Sequence, residues 1–327
     1  MAFDGFLMAA LTKELSDRLT GGHLQKISQP EQDELILAVK NNRQTWRLVL
    51  SASPSLPLIY LTDKSKTAPL TAPNFCMLLR KHLSGARICR IYQHELERVI
   101  FIEFENRNEL GDLVHRNLVI EIMGKHSNII FLDEENKIVD SIRHVSALVS
   151  SVREVLPGRT YFIPNTREKH NPFELTTELW MTELTKQPVS IAKGLCNYLT
   201  GFSFSMAQEV AYRCHLDGDN PFASCNGNQL STLLSCLRAL MEHVKNGNFE
   251  PEIVFHNGEP VEFSAFEMKR YEAEGYEHRP FESVSRMIEV FYGEKEMIQR
   301  IRQKSADLRK NVTNLLERDQ KKIDIQR

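Results

Sequence analysis

The spacing of apolar residues predicts a helix at the start of the chain. Leu7, Leu11, Leu15 and Leu19 recur every four residues, which places them on one face of a helix. Asp4 precedes this stripe and can accept hydrogen bonds from the first free N–H groups, and a glycine pair after the last leucine can end the helix.

Short apolar or alternating runs after this helix predict antiparallel β-strands. The dipeptide Asn41-Asn42 tolerates the positive φ of a hairpin turn. After a proline-rich irregular stretch, residues 74–83 have the spacing of an amphipathic helix. We therefore expect an α+β fold whose first 170 residues form an antiparallel β-rich domain flanked by helices. The predicted strands are 23–29, 34–39, 45–51, 87–92, 98–105, 113–123, 127–132 and 137–142.

The pattern becomes helical after the prolines between Pro157 and Pro172. Two short helices, at 191–199 and 205–214, flank the turn Gly201-Phe202-Ser203, and this order is typical of a helix-hairpin-helix. A short β-segment at 252–263 follows. We predict that residues 171–280 form a helical helix-hairpin-helix domain with this β-segment.

The last part of the chain predicts the first helix of a coiled-coil arm, over residues 281–327. Its apolar positions alternate three and four apart, which is a heptad seam that needs a partner helix. We expect the chain to be truncated inside this arm, since the partner helix is absent. The seam positions are Ile298, Ile301, Ser305, Leu308, Val312 and Leu315, with Ser305 the weak member.

Composition narrows the class of protein. With 327 residues, 42% hydrophobic and 26% charged, the chain has ordinary globular usage and enough length for about two domains. No apolar run approaches the roughly 18 residues of a membrane span. Asp4 stands where a secretory signal would carry positive charge. The six cysteines lack the spacing of zinc or redox motifs, so we expect free thiols in a soluble, cytoplasmic protein with no membrane contact.

Charge is unevenly distributed along the chain. The net charge is −2, but residues 294–327 carry ten Lys or Arg and six Asp or Glu, which leaves −6 for everything before them. Any contact of the first two parts with nucleic acid must therefore be local.

The strong sequence motifs of enzymes are absent. The chain contains no phosphate loop, zinc-protease helix, nucleophile elbow or dinucleotide turn. His115, His126 and His144 could bind a metal only if the fold joined three strands, and the alternative is strand-end histidines that pair with backbone or water. We expect no catalytic residues, no metal site and no cofactor.

Two polar patterns are candidates for nucleic-acid contact. The turn after Glu121 can present Lys125, His126 and Asn128 to a phosphate or a base, although it can also be a plain hairpin. Glu97-Arg98 lies at the start of the predicted strand 98–105, a position where charges usually only end the strand. A guanidinium on a rigid sheet nevertheless suits phosphate or base edges, and the acid beside it can orient it.

The hairpin Gly201-Phe202-Ser203 is a third candidate. The helix after it could offer free N–H groups to a phosphate. Ser203 stands where DNA-binding hairpins often carry a second glycine, and the flanks are not basic. Packing against another part of the protein is therefore the favoured interpretation.

Seven segments in order resemble the NFACT family, the RqcH/NEMF-type ribosome quality-control factors whose bacterial members were labelled fibronectin-binding protein A. The resemblance covers essentially the whole chain in the family's order of NFACT-N domain, helix-hairpin-helix domain and first strand of the middle coiled coil. The segments are Met1–Gly5, Gly22–Pro30, Phe75–His82, Arg107–Asp112, Glu121–Asn128, Val155–Gly158 and Gly201–Ser203.

The resemblance implies a function at the ribosome. Family members bind large ribosomal subunits obstructed by peptidyl-tRNA, and bacterial ones bring in alanyl-tRNA for alanine tailing of the stalled chain without mRNA. The ribosome makes the peptide bond, so the resemblance implies a monomeric tRNA-binding factor that is not an enzyme. Compared with the family's pattern, we expect this chain to lack the coiled-coil return strand and the C-terminal NFACT domain.

The resemblance also implies tRNA-binding residues. The family's Asp-Arg pair falls on Glu97-Arg98, where the arginine matches and the acid is one methylene longer. Its Gly-Arg-His-Ser-Asn turn falls on Gly124–Asn128, where Lys125 keeps the charge and gives up the bidentate fork. Lys125, His126 and Asn128 are therefore expected to bind tRNA with the Glu97-Arg98 pair.

Two other functions remain open from the sequence. One is a surface adhesin for fibronectin, although the chain lacks a signal, an anchor and adhesive repeats. The other is DNA repair, because the NFACT-N domain also resembles the N-terminal β-domain of MutM-type DNA glycosylases. That chemistry uses an N-terminal proline amine and an adjacent acid, whereas Ala2 and Phe3 stand at these positions here.

Overall fold

A computed structural model of the chain describes residues 3–108, 110–164, 169–295, 305, 309, 310, 312 and 313. The predicted N-terminal helix is present as α1 (Gly5–Leu19), and all four leucines of its stripe are buried. Asp4 caps it, since its Oδ1 accepts hydrogen bonds from the N–H groups of Phe6 at 3.1 Å and Leu7 at 2.9 Å. The apolar spacing and the capping residue were both read correctly from the sequence.

Nine strands form one antiparallel sheet, in the order β4-β3-β2-β1-β5-β6-β7-β8-β9. Eight of the nine match the predicted strands to within a few residues. Asn42 and Arg43 have positive φ in the β2–β3 turn, so the turn lies one residue later than Asn41-Asn42. The strands are β1 (His23–Glu31), β2 (Glu34–Asn41), β3 (Gln44–Ser51), β4 (Leu58–Thr62), β5 (Arg87–Gln93), β6 (Val99–Arg107), β7 (Leu113–Glu121), β8 (Asn128–Leu132) and β9 (Ile138–Ser141).

Strand β4 lies in the proline-rich stretch that the sequence predicted to be irregular. Its burial alternates, and Leu48 and Leu50 of β3 pair with Leu61 and Ile59 of β4. The prolines flank the strand and do not interrupt it. The sequence did not predict these five residues as a strand because the surrounding stretch is rich in proline.

The two faces of the sheet are covered differently. One face packs with α1 and α2 (Asn74–Leu83) in a large apolar core that continues into the second half of the chain. The other face carries a smaller cluster around Val99 and Phe101, covered by the segment that follows β9. The buried carboxylate of Glu121 joins this segment to β7, because it accepts hydrogen bonds from the Arg153 guanidinium and, at 2.8 Å, from the Tyr161 hydroxyl.

Helices follow the β-rich part. A three-stranded sheet in the order β11-β10-β12 comes after them, and its last strand was not predicted. That strand, β12, is mostly polar and exposed, so it has no hydrophobic alternation to reveal it. The elements are α3 (Thr177–Thr182), α4 (Ile191–Tyr198), α5 (Phe204–Arg213), α6 (Gly227–Lys245), β10 (Glu252–His256), β11 (Glu259–Ser264) and β12 (Tyr276–Pro280).

A last helix, α7, is described over residues 284–295, at the start of the predicted arm. It packs against the body of the protein: Ser285 Oγ accepts a hydrogen bond from Leu61 N at 2.9 Å, and a Glu14 carboxylate oxygen accepts one from Val284 N at 2.6 Å. Of the heptad seam, Ile298, Ile301, Leu308 and Leu315 lie outside the described residues, whereas Ser305 and Val312 are helical and exposed. The coiled coil and the boundaries at 170 and 280 therefore stay predictions.

Two glycines bring three parts of the chain into backbone contact. Gly5 N donates a hydrogen bond to Gly201 O at 2.8 Å. A Cβ on Gly5 would lie 2.2 Å from the carbonyl oxygen of Leu96 and 2.6 Å from Gly201 Cα. The start of α1, the loop before β6 and the turn between α4 and α5 meet where only glycines fit.

Within the described residues, every helix is too short or too polar to cross a membrane.

We predict that Gly5→Ala lowers the free energy of unfolding by about 2 kcal/mol or more, because the new methyl group meets backbone atoms that cannot rotate away. Urea unfolding of the chain measures this change. The control is Gly227→Ala, since Gly227 also lies at the first position of a helix and a Cβ there meets nothing within 4 Å. Its effect should stay within about 1 kcal/mol. Equal losses in both variants would contradict the close packing at Gly5.

Candidate nucleic-acid interface

Arg98 lies immediately before β6, one residue ahead of the strand that the sequence predicted to begin with it. Its carbonyl oxygen accepts a hydrogen bond from Ile122 N at 2.9 Å. Ile122 directly follows β7, so Arg98 is held beside the point where β7 ends. Among the residues that the structure describes, the Arg98 guanidinium makes no hydrogen bond and no ion pair within 4 Å, and its charge interacts with the adjacent Glu97 carboxyl.

The polar turn predicted after Glu121 is present as a single 3-10 turn, Gly124–His126, between β7 and β8. Gly124 has a φ of +59°, and Ser127 Oγ accepts a hydrogen bond from Met123 N at 2.8 Å. Lys125 and His126 are exposed between these two fixed ends. Because the turn begins two residues after Ile122, the fold brings Arg98, Lys125 and His126 to the same end of the sheet.

Asn128 does not face solvent, which corrects the prediction that the turn presents it beside Lys125 and His126. Its side chain is buried, with 2% of its surface exposed. Its Nδ2 donates to Arg143 O at 2.8 Å, and Arg143 N donates to its Oδ1 at 3.2 Å. The amide therefore anchors the chain beside the turn. Arg143 lies 15 residues away in the sequence, so no local sequence pattern predicts this pairing.

Arg143 is a residue of this region that the sequence did not suggest. Its guanidinium donates to the carbonyl oxygen of Lys125 at 2.9 Å and to that of Ala52 at 3.0 Å. It therefore joins the turn to the chain after β3 and fixes the backbone that carries the Lys125 ammonium group. Both partners are backbone carbonyl groups, so no sequence motif could have predicted this role of Arg143 before the fold was known.

Glu97, which precedes Arg98 in the chain, is half-buried. Desolvation raises the pKa of the Glu97 carboxyl, and the positive charges of Lys169 and Arg98 partly oppose this rise. Lys169 Nζ also donates to Cys196 O at 2.8 Å, in the last turns of α4. Glu97 is therefore close enough to both Arg98 and Lys169 for their charges to act on its carboxyl, and as a carboxylate it can orient both cations.

The three histidines considered for metal binding do not meet. His115 Nδ1 lies 2.9 Å from a Glu103 carboxylate oxygen, and His144 Nε2 lies 2.6 Å from one of Asp140. Within the described part of the chain no metal-ligand group contains His126. Each of the other two is an exposed histidine next to acidic side chains on its own part of the surface, so the three do not form one metal site.

The third candidate, the hairpin Gly201–Ser203, packs inside the protein. Ser203 Oγ accepts from Met206 N at 3.1 Å and so caps α5, while its hydroxyl donates to Asp4 Oδ2 at 2.7 Å. Burial raises the pKa of the Asp4 carboxyl to about 6, and the bonds from Ser203 and Leu7 N oppose that rise. The α5 N-terminus faces the capped start of α1, as the packing interpretation predicted, and so does not present itself to a phosphate.

Comparison with known proteins identifies relatives along the entire chain. Residues 4–327 match the sequence model of a family described as NFACT N-terminal and middle domains. The protein named Rqc2 homolog RqcH of Bacillus subtilis is 34% identical over 324 residues, which is 99% of this chain and 54% of that protein. The protein of the same name from Streptococcus suis is 33% identical over 99% of this chain and 54% of that protein.

Solved structures match the fold. The N-terminal part of the fibronectin/fibrinogen-binding protein from Streptococcus suis has a TM-score of 0.73 at 32% identity, covering 89% of this chain and 99% of that one. The fibrinogen binding protein from Staphylococcus aureus has a TM-score of 0.72 at 30% identity, over the same shares. The present chain spans about half the length of the curated relatives it matches.

We predict that Asn128→Ala lowers the free energy of unfolding by about 1–3 kcal/mol, because it leaves the N–H and C=O of Arg143 without their buried partner. Lys125→Ala, three residues earlier, should change it by less than about 0.5 kcal/mol, because its side chain is exposed. Chemical denaturation of both variants gives the two values. A large loss of stability in Lys125→Ala, or no loss in Asn128→Ala, would contradict the assignment of Asn128 as the anchor and Lys125 as an exposed side chain.

Proposed function

Since the chain belongs to the NFACT family, we propose that it is the N-terminal part of a ribosome quality-control factor. In this proposal the complete protein binds large ribosomal subunits obstructed by peptidyl-tRNA. It then recruits tRNA(Ala) for alanine tailing of the stalled chain without mRNA. The names of the curated relatives, Rqc2 homolog RqcH, support a role in ribosome quality control. The tRNA contact proposed for this chain is supported by one observation: the Arg98 guanidinium, without a hydrogen bond among the described residues, lies at the same end of the sheet as the exposed Lys125 and His126.

Binding of tRNA at these residues is supported by the way their backbone is held. The Arg98 backbone is bonded to the end of β7, and the backbone of the turn is bonded to Arg143. Donors held on a rigid sheet lose little conformational freedom when they bind a phosphate. A planar guanidinium can donate two bonds to one phosphate, whereas Lys125 supplies a point charge. The resulting contact is local, as the negative charge of the first 293 residues requires.

In this proposal the protein supplies binding and the ribosome supplies the chemistry. Peptidyl transfer needs no acid, base or cofactor from this chain if the protein only holds tRNA(Ala) in place, so we propose that it is not an enzyme. Residues 1–170 would bind tRNA. Residues 171–280, as a helix-hairpin-helix domain, and the arm from 281 would set the distance and orientation along the large subunit.

The experiment is to place Arg98→Ala in the chromosomal gene and to isolate large ribosomal subunits with the protein bound. We predict that co-purified tRNA falls about 5- to 150-fold, since one arginine contact to nucleic acid contributes about 1–3 kcal/mol. Alanine tails on a reporter without a stop codon should fall in parallel. A double variant, Lys125→Ala with His126→Ala, should also weaken tRNA recovery and make it less sensitive to salt.

The matched control is Arg116→Ala. Arg116 lies on β7 six residues before Ile122, roughly 20 Å along the strand from the end that holds Arg98. It should leave tRNA recovery and tailing unchanged. Unchanged values in Arg98→Ala, or equal losses in Arg116→Ala, would remove Arg98 from the proposal.

A second candidate function comes from the names of the structural neighbours, which refer to fibronectin and fibrinogen binding. Fractionating the same cells separates the two candidates. Co-sedimentation of the protein with large ribosomal subunits supports the first candidate. Accumulation at the cell surface without ribosome association would support the second.

A further inference from the structure

Three side chains of metal-binding type meet on neighbouring strands at the other end of the sheet from Arg98. Cys89 lies on β5, Glu105 on β6 and His115 on β7. One ligand atom from each lies within 4.8 Å of the other two, and no other such group occurs among the described residues. The proposed binding of tRNA uses none of them.

The strand register explains why they meet. Glu105 and His115 are direct partners across β6 and β7, so their side chains leave the same face of the sheet. The pairing of β5 with β6 shifts between Ile88 and Arg90, and Cys89 is the extra residue in this bulge. Bulges re-aim side chains, and this one places the thiol on the same face as the other two.

The hydrogen bonding of His115 is a second, independent observation. His115 Nδ1 lies 2.9 Å from Glu103 Oε1, while its Nε2 lies 3.9 Å from Glu105 Oε2. When Nδ1–H donates to Glu103, Nε2 carries the lone pair. Histidines that bind metals almost always donate their second ring N–H to a carboxylate or carbonyl in this way.

We propose that Cys89 Sγ, a Glu105 carboxylate oxygen and His115 Nε2 bind one zinc-type divalent cation, with Glu103 as the positioning residue for His115. A thiolate, an imidazole and a carboxylate are the donors that zinc takes, whereas magnesium and calcium take oxygen ligands alone. Metal–ligand bonds of about 2.0–2.3 Å place tetrahedral ligand atoms roughly 3.3–3.6 Å apart. The three side chains therefore need to close by only about 1 Å, and water supplies the fourth position.

The charges around the site fit a cation that enters with loss of one proton. Burial raises the pKa of the Cys89 thiol, the Glu105 carboxylate raises it further, and Arg87 opposes both. A thiol binds the metal as the thiolate, so the Cys89 thiol releases one proton to solvent when the metal–sulfur bond forms. The Arg87 guanidinium lies 3.9 Å from Glu105 and must move away as the cation takes its place. Binding should therefore strengthen as pH rises.

The experiment is a titration of the reduced, metal-free chain with Co²⁺, followed by competition with Zn²⁺. We predict one equivalent of Co²⁺ with a thiolate-to-cobalt charge-transfer absorption, and its displacement by Zn²⁺. Cys89→Ser should abolish this absorption, and His115→Ala should weaken binding at least tenfold. Glu103→Gln should weaken it about 10–100-fold, the usual effect of losing a residue that orients a metal ligand.

Two variants serve as matched controls. Cys214→Ser removes a free thiol elsewhere, and His144→Ala removes an exposed histidine that is also paired with an acid, Asp140. Both should bind Co²⁺ as the unmodified chain does. Absence of the charge-transfer absorption at one equivalent, its persistence in Cys89→Ser, or its loss in Cys214→Ser would overturn the proposal. Because His115 is exposed, His115→Ala tests the site even where Cys89→Ser disturbs the bulge.

Discussion

The contact of Gly5 with Leu96 and Gly201 is the constraint on which the candidate interface depends. It closes the N-terminus of α1 and the α4–α5 turn onto the loop that ends at Arg98, at distances that exclude any side chain. Gln93 reinforces it, since its amide donates to the carbonyl oxygens of Gly5 at 3.0 Å and Glu97 at 2.7 Å. The backbone at Arg98, the residue that we propose binds tRNA, is therefore held by the same packing that joins the β-rich part to the helices.

The turn beside Arg98 shows how a short polar segment can divide structural and binding roles. Ser127 and Asn128 direct their polar atoms inward and fix the backbone. The side chains of Lys125 and His126 are exposed and make no hydrogen bond among the described residues. The buried pair uses its hydrogen-bonding capacity inside the protein, so only the exposed pair can serve a ligand. Substitutions within this one sequence motif should therefore differ in effect. Those at Ser127 or Asn128 should alter the fold, and those at Lys125 or His126 should alter ligand binding.

The sequence correctly predicted the features that depend on neighbouring residues, such as apolar spacing, helix caps and turns. The leucine stripe of α1, its Asp4 cap and most strands follow from apolar period and turn residues, and seven ordered segments indicated the family. It missed β4 among prolines and the polar β12, because neither has the expected context or alternation. It placed Asn128 at the surface, since the Arg143 partner lies 15 residues away. The meeting of Cys89, Glu105 and His115 depends on register and a bulge, which spacing along the chain does not encode.

The most direct test of the central claim is to identify what touches this end of the sheet on the ribosome. A photoreactive amino acid in place of His126 leaves Arg98 and Lys125 intact, and ultraviolet light then links it to its neighbour on obstructed large subunits. We expect tRNA in the linked product, and none when the probe replaces the exposed Glu134 in the β8–β9 turn. Linkage at position 126 to ribosomal protein or ribosomal RNA alone, or tRNA linkage equal at both positions, would contradict this end of the sheet as the tRNA-binding surface.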